Sequence, residues 1–387
     1  MEEHEEPSSP GVSPVLLKEC IEEVLNFTLA SLIDETLGFD IGLSKEYCSN
    51  LLKNDPANPN CNHTDFSGGV SQYPLRKPLA SALYQSISSG TLIHEDSSMK
   101  QKEEKWNQLV LAKGSELVNM LKTIDFELHV QEPFFSQLKD GLKTTEGRCA
   151  VGDYNKIGSG ALLLFNKCFV LQVQDVIRYA SFSEMLEAES LAKVLPGVKT
   201  TEEGVRIYRK FYTKEKERSN GVLAIRVTKP AAQLYIPLAS ILLGLSYEGV
   251  QRLLGLTRTA GTIPEALPPP RSTLLLSFLL PHNPEVKGSI LTDGARALAK
   301  HINRSSDGYW GSFNGSDSDK NRLAVDIISH LIDHCYWQNM HIVPPHGVVF
   351  EIRIADGYGA RWSEDGTKFI GFLEPYMMEG HSKGWMH

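Results

Sequence analysis

Gly141-Leu-Lys-Thr-Thr-Glu-Gly-Arg148 is the stretch on which the reading of this chain turns. A glycine lets the backbone turn without a Cβ penalty, and Lys143, Glu146 and Arg148 then bring three charges close together. Alternation along a strand would put Lys143 and Thr145 on one face and Thr144, Glu146 and Arg148 on the other, so a barrel wall can present polar groups to a cleft. Lysine offers a point cation, arginine a planar fork, and glutamate an acceptor for a base amino edge or a clamp for the arginine. That set suits a nucleotide. The plainer alternative is a surface ion pair of Glu146 with Arg148 beside a solvated lysine.

Outward from this stretch, FELHV (126–130), GRCAV (147–151), ALLLF (161–165), FVLQVQDVI (169–177) and GVLAIRV (221–227) are short apolar runs bounded by Gly, Asp and Asn, which predicts barrel strands. EPFFSQLKDG, SFSEMLEAESLA and TEEGVRIYRKFY read as the helices between them. Ser181 and Thr201 are the expected N-caps, with Glu184 in the capping-box position. A compact α/β barrel is therefore expected over 123–228. Before it, residues 1–14 read as a disordered leader and 15–122 as a helical region with a Pro/Asn/Gly-rich loop at 55–74. After it, 229–275 reads as a linker ending in the extended Pro268-Pro269-Pro270 segment. Residues 276–387 then read as an α/β domain, with helices at 293–302 and 318–335, the latter capped by Asp319. Val348, Phe350, Ile352 and Ile354 alternate on one strand face, and Asp365-Gly366 predicts a type I′ hairpin. No internal repeat is visible.

Composition narrows the function classes. A chain of 387 residues is long enough for two or three cores, and a net charge of −8 excludes wholesale coating of nucleic acid. Any polyanion site must be local, and the barrel segment, with 15 Lys and Arg against 14 Asp and Glu, is where acid is least in excess. The six cysteines include no CxxC pair, so neither a zinc site nor a disulfide framework is signalled, and reduced thiols are expected. The N-terminus is acidic and Pro/Ser-rich, unlike a secretory signal, and the longest apolar run is broken by Pro237, so no membrane span is expected. The cytoplasm or nucleus is the expected location.

Taken together, the strand and helix at 126–141, the GxKxxEGR motif as Gly141, Lys143, Glu146, Gly147 and Arg148, the strand pair LLLFNKCFVLQVQDVIRY, SFSEMLEAESLAKVLPG, and EEGVRIYRKFY closing on GVLAIRV resemble the ASCH domain family. The resemblance implies a PUA-like β-barrel with a cleft beside the motif strand, used for RNA or another nucleic acid and, in some bacterial members, for hydrolysis. Two departures stand out. Gly158-Ser-Gly-Ala161 replaces a Gly-Asp that many members carry, and Glu146 stands where the hydrolases of acetylated cytidine have Thr. Catalysis in the same cleft by Lys143 and Glu146, as an amidohydrolase on acetylated cytidine or as a ribonuclease, with Glu187 or Glu189 as a base, is thus the lesser expectation. The C-terminal stretches resemble the extension found beside the ASCH segment in plant proteins of this type.

Three further constellations carry chemistry. From 204 to 218, Arg206, Arg209, Lys210, Lys214, Lys216 and Arg218 interleave with Tyr208, Phe211 and Tyr212, a pattern in which cations meet phosphates and rings stack on bases. Arg206, Arg209, Lys210 and Tyr212 join Lys143, Glu146 and Arg148 as the expected nucleic-acid contacts. A second candidate surface comprises Arg296, His301, Arg304, Trp310, Arg361, Trp362, Glu374 and His381, cations and aromatic platforms for a nucleotide or peptide. His330 and His334, with Cys335, have metal-compatible helical spacing but more simply sit at the polar edge of a helix, and no metal or other cofactor is expected. No phosphate loop or nucleophile elbow occurs. The expected partner is RNA, with protein partners through the N-terminal helices as a further expectation.

Overall fold

The computed structural model of the chain describes residues 15–56, 69–91, 100–286, 290–302 and 308–376. The leader, most of the loop at 55–74, Arg304 and His381 lie outside them. The described residues form two compact units, one of 15–31, 84–91 and 100–241 and the other of 32–56, 69–83, 242–286, 290–302 and 308–376. The fold is mixed α/β, with N-terminal helices, a curled half-barrel sheet in the first unit and a second sheet toward the C-terminus. The N-terminal helices are α1 (Leu17–Ile33), α2 (Lys45–Leu52), α3 (Arg76–Ser89) and α4 (Lys100–Lys122).

The first unit is built on β1 (Phe126–Leu128), β2 (Thr145–Cys149), β3 (Leu162–Phe165), β4 (Phe169–Tyr179) and β5 (Val222–Thr228), ordered β1-β3-β4-β5-β2. All five overlap the short apolar runs from which strands were predicted, with β2 beginning two residues before GRCAV. The β1–β3 pair is parallel and the others antiparallel. Asn166 and Lys167 both take positive φ, 47° and 59°, and form the tight primed turn joining β3 to β4. The helices α5 (Phe134–Lys139), α6 (Phe182–Glu189), α7 (Leu191–Val194), α8 (Thr201–Tyr208) and α9 (Lys214–Asn220) fill the connections. Ser181 caps α6 through Glu184 N at 3.2 Å as expected, whereas α8 is capped by Thr200, one residue before the predicted Thr201. Phe182, Met185, Leu186, Val194, Tyr208 and Val222 pack into one buried cluster against Cys149 and Ala224.

The second unit's sheet is an antiparallel meander of β6 (Trp337–Val343), β7 (Gly347–Arg353), β8 (Gly359–Ser363) and β9 (Phe369–Leu373). Phe350, Trp362, Phe369 and Phe372 face the helices α11 (Arg271–Phe278) and α12 (Asp293–Ile302): the Phe278 ring sits 4.8 Å from Phe369 and 5.9 Å from Phe372, and the Trp362 indole donates to Leu274 O at 3.2 Å. At Gly294 a Cβ would stand 2.1 Å from the Phe278 ring, so only glycine lets α12 approach that closely. Ser316 rather than Asp319 caps α13 (Asp317–His334), Asp319 serving as the reciprocal partner of a capping box. The β8–β9 turn has a positive φ at Gly366 alone, with Gly366 N bonded to Ser363 O at 2.9 Å, so it is a longer loop closed by glycine and not the two-residue type I′ hairpin expected. The stretch 229–275, expected as a linker, carries the helix α10 (Tyr235–Leu253), kinked at Ser246, and the start of α11. Pro237 lies in the first turn of α10, where its missing N–H costs nothing.

Candidate nucleic-acid interface

Gly141 takes φ +72° at the turn before β2, and Lys143 folds in just ahead of the strand. Its side chain is 1% exposed. Nζ donates to Thr145 O at 2.8 Å and to Val194 O, and lies 3.1 Å from Glu146 Oε2, with the Phe134 ring 5.8 Å away. Burial lowers the pKa of this ammonium and the Glu146 carboxylate opposes the shift. Lys143 and Glu146 therefore meet, although strict alternation would have put them on opposite faces. Arg148 closes the row: Nε lies 2.9 Å from Glu146 Oε1 and Nη2 donates to His129 O at 2.6 Å. A buried carboxylate between two cations keeps each charge compensated, and removing one would strand the others.

Gly147 is fixed by what lies over it. A Cβ there would meet the Tyr208 hydroxyl at 2.4 Å and Met185 Cε at 2.7 Å. Tyr208 stacks on Phe182 at 4.1 Å, Tyr212 stacks on the same ring at 5.5 Å, and Arg209 lies 6.0 Å over it. Burial raises the hydroxyl pKa of Tyr212, with the Arg148 guanidinium working against it. The rings expected to stack on bases at 208 and 212 thus belong largely to this protein's own packing, while Phe211 is 46% exposed. Arg206 and Lys210 are exposed; Arg209 is paired with the buried Glu217, whose Oε1 also accepts from Phe182 N at 2.7 Å. Lys143, Glu146, Arg148, Arg209 and Tyr212 are accordingly one connected cluster of which Arg148 is the most exposed part of the motif row, and Arg206 and Lys210 lie on the outer surface of the same unit. Glu189 is engaged elsewhere, held by Arg226 at 2.8 and 2.9 Å and by the Tyr179 hydroxyl at 2.6 Å. Glu187 is exposed beside Ser183.

The second candidate surface does not assemble as expected. Trp310 and Trp362 are fully buried core residues, and Arg296 is exposed on α12. His301 Nδ1 and the Trp310 indole both meet Glu374 Oε1 at 2.8 Å. His330 and His334 stack at 4.3 Å on α13, and among the described residues no group of three or more His, Cys, Asp or Glu could hold a metal. Arg361 belongs to a different group. It pairs across the sheet with Glu351, donating from Nε and Nη2 to Oε2 at 3.0 and 2.7 Å. Arg353 Nε donates to Oε1 at 2.8 Å, and His341 Nε2 lies 3.3 Å from Oε2. Burial would raise the Glu351 pKa, but His341, Arg353 and Arg361 outweigh it and hold the group lowered to about 2. The sequence signal for this group was the charged residues left on the polar positions of the VVFEIRIA alternation.

Residues 128–231 match the ASCH domain family, and residues 282–374 match the family described as the CdiA C-terminal tRNase toxin domain. The chain belongs to the ASCH domain family through the first of these segments. It is similar to hypothetical protein PH0355, known from a crystal structure, at 39% identity over 27% of this chain and 97% of that one, with a TM-score of 0.27. It is likewise similar to protein PF0455 from Pyrococcus furiosus, known from a solution NMR structure, at 39% identity over the same shares, with a TM-score of 0.26. No curated protein matches the chain. No helix among the described residues is long and apolar enough to cross a membrane.

Proposed function

We propose that this chain is an RNA-processing protein that holds RNA on its ASCH unit and cleaves it with its second unit. The observation that carries the binding half is the exposed Arg206, Lys210 and Phe211 strip at the end of α8, on the unit whose motif row ends at the partly exposed Arg148. Cations that neutralise phosphates beside an aromatic ring that stacks on a base are what a single strand needs. Glu146 is committed to Lys143 and Arg148, and Lys143 already has three acceptors, so this row supports holding over cutting. The match of 282–374 to a tRNase toxin family supports placing cleavage in the second unit. The test of the binding half is filter binding of the full-length protein to single-stranded RNA and to tRNA across a salt series. Arg206→Ala with Lys210→Ala should weaken affinity for all RNAs and reduce the slope of log K against log salt by about 1 for each phosphate no longer neutralised. A wild-type protein with no salt-sensitive affinity for either RNA would sink this half of the reading.

A further inference from the structure

We propose that the polar face of the second sheet is a phosphodiester-cleaving centre in which His341 takes the proton of a ribose hydroxyl, Glu351 orients His341, and Arg361 attracts the phosphate. This deepens the RNA-cleavage half of the reading above and rests on it. The centre follows from register. Asn339, Glu351, Arg361 and Gly371 are directly paired across β6, β7, β8 and β9, on the face opposite Phe350 and Trp362. The Glu351 carboxylate is shared by two guanidinium groups, Arg361 in this row and Arg353 two residues along β7, so the cluster carries a net positive charge, which favours a phosphate.

The imidazole stands in front of the carboxylate: the His341 side chain is 17% exposed and that of Glu351 is 4%. With Nε2–H donating to Glu351 Oε2, the lone pair is on Nδ1, the arrangement of a base held in one tautomer by a second group. Glu351 itself is tied to three partners and is too acidic to serve as the base, so the proton falls to His341. The half-buried Trp337 lies edge-on to the imidazole at 6.0 Å and can flank a base. Gly371, opposite Arg361, has nothing within 4 Å of where a Cβ would stand, so the strip beside that guanidinium is open. Asn339 is anchored from the other side, its Oδ1 accepting from Thr262 at 3.0 Å and its Nδ2 donating to Thr259 at 2.8 Å.

The chemistry balances with water alone. The ribose 2′-oxygen loses its proton to His341 Nδ1 and bonds to the adjacent phosphorus; the bond from phosphorus to the 5′-oxygen breaks; the leaving oxygen takes a proton from water, and the hydroxide so formed takes the proton from His341, which restores the base. The products are a 2′,3′-cyclic phosphate and a 5′-hydroxyl end.

Full-length protein is incubated with end-labelled single-stranded RNA and with tRNA, and the cleaved ends are identified by mass. His341→Gln keeps an N–H toward Glu351 but cannot accept the proton. It should lose at least about 100-fold in cleavage rate, the scale of a positioned general base, with the thermal unfolding midpoint and RNA affinity retained. A single 2′-deoxy residue at the cut position should block cleavage there. If His341→Gln cleaves at the wild-type rate, or the deoxy site is still cut, the assignment falls while the RNA-cleavage reading stands. If the wild-type protein cuts neither RNA, both fall, and the binding half remains to be judged on its own salt series.

Discussion

Glu351 and Arg361 stand directly opposite each other on β7 and β8, and a single carboxylate oxygen, Oε2, takes both Nε and Nη2 of the guanidinium. Arg353 holds the other oxygen and reaches on to Gly357 O at 2.7 Å and Glu374 O at 3.0 Å. One acidic side chain therefore organises three strands.

Glu351→Gln should cost on the order of 3 kcal/mol, because it leaves two largely buried cations with one neutral acceptor. Chemical denaturation reads this. The pH dependence has a defined sign: the folded carboxyl lies at about 2 against 4.5 in the unfolded chain, so its stabilisation is complete above 4.5 and is lost as pH falls toward 2. The variant should show a shallower loss over that window; an unchanged slope would mean the ion cluster is not coupled to folding.

Gly147→Ala should destabilise the first unit by about 1–3 kcal/mol, the range for overpacking, since the methyl would collide with Tyr208 and Met185. Gly141→Ala meets no neighbour and carries only the strain of φ +72°, about 1 kcal/mol. Urea unfolding of the two variants should rank them in that order.

Lys143→Ala should act on stability and not on RNA affinity. It leaves Glu146 and two backbone carbonyls short of a donor in a buried site, a loss of roughly 3–5 kcal/mol. Below the lowered unfolding midpoint, filter binding should give the wild-type RNA affinity. A large loss of affinity with wild-type stability would return Lys143 to the interface.

Ser316→Ala should cost about 1 kcal/mol through loss of the α13 cap, since Ser316 Oγ accepts from Asp319 N at 3.3 Å and the Asp319 carboxylate answers to Ser316 N at 3.1 Å. Differential scanning calorimetry would register it as a lowered midpoint.

The strands of the first unit were legible because each is a short β-rich run between breakers, and local pattern alone decides that. The fate of Lys143 was not. It precedes the strand, so alternation does not govern it, and its partner at Val194 is 51 residues away. Tyr208 and Tyr212 were read as platforms for bases, but they lie four residues apart and both stack on Phe182, a partner that is distant in sequence. The span 229–275 read as a linker because Pro237 and the triple proline dominate its appearance, yet a proline in the first turn is compatible with a helix. For His341, Glu351 and Arg361, the residue types were visible but their union depends on the register of three strands, which no local pattern supplies. Arg361 was grouped with Trp310 and Trp362, both of which are buried in the core, whereas its own side chain is bonded to Glu351.

The bare backbone at Gly371 has one more implication. It ends a row in which Glu351 and Arg361 are held to each other and Asn339 is held by Thr259 and Thr262, and a Cβ added there meets no neighbour within 4 Å. That makes position 371 a natural gauge on the width of the strip beside Arg361. If the sheet face is the cleaving centre proposed above, a residue added there would alter the strip beside Arg361 while the ion pair of Glu351 with Arg361 stays in place.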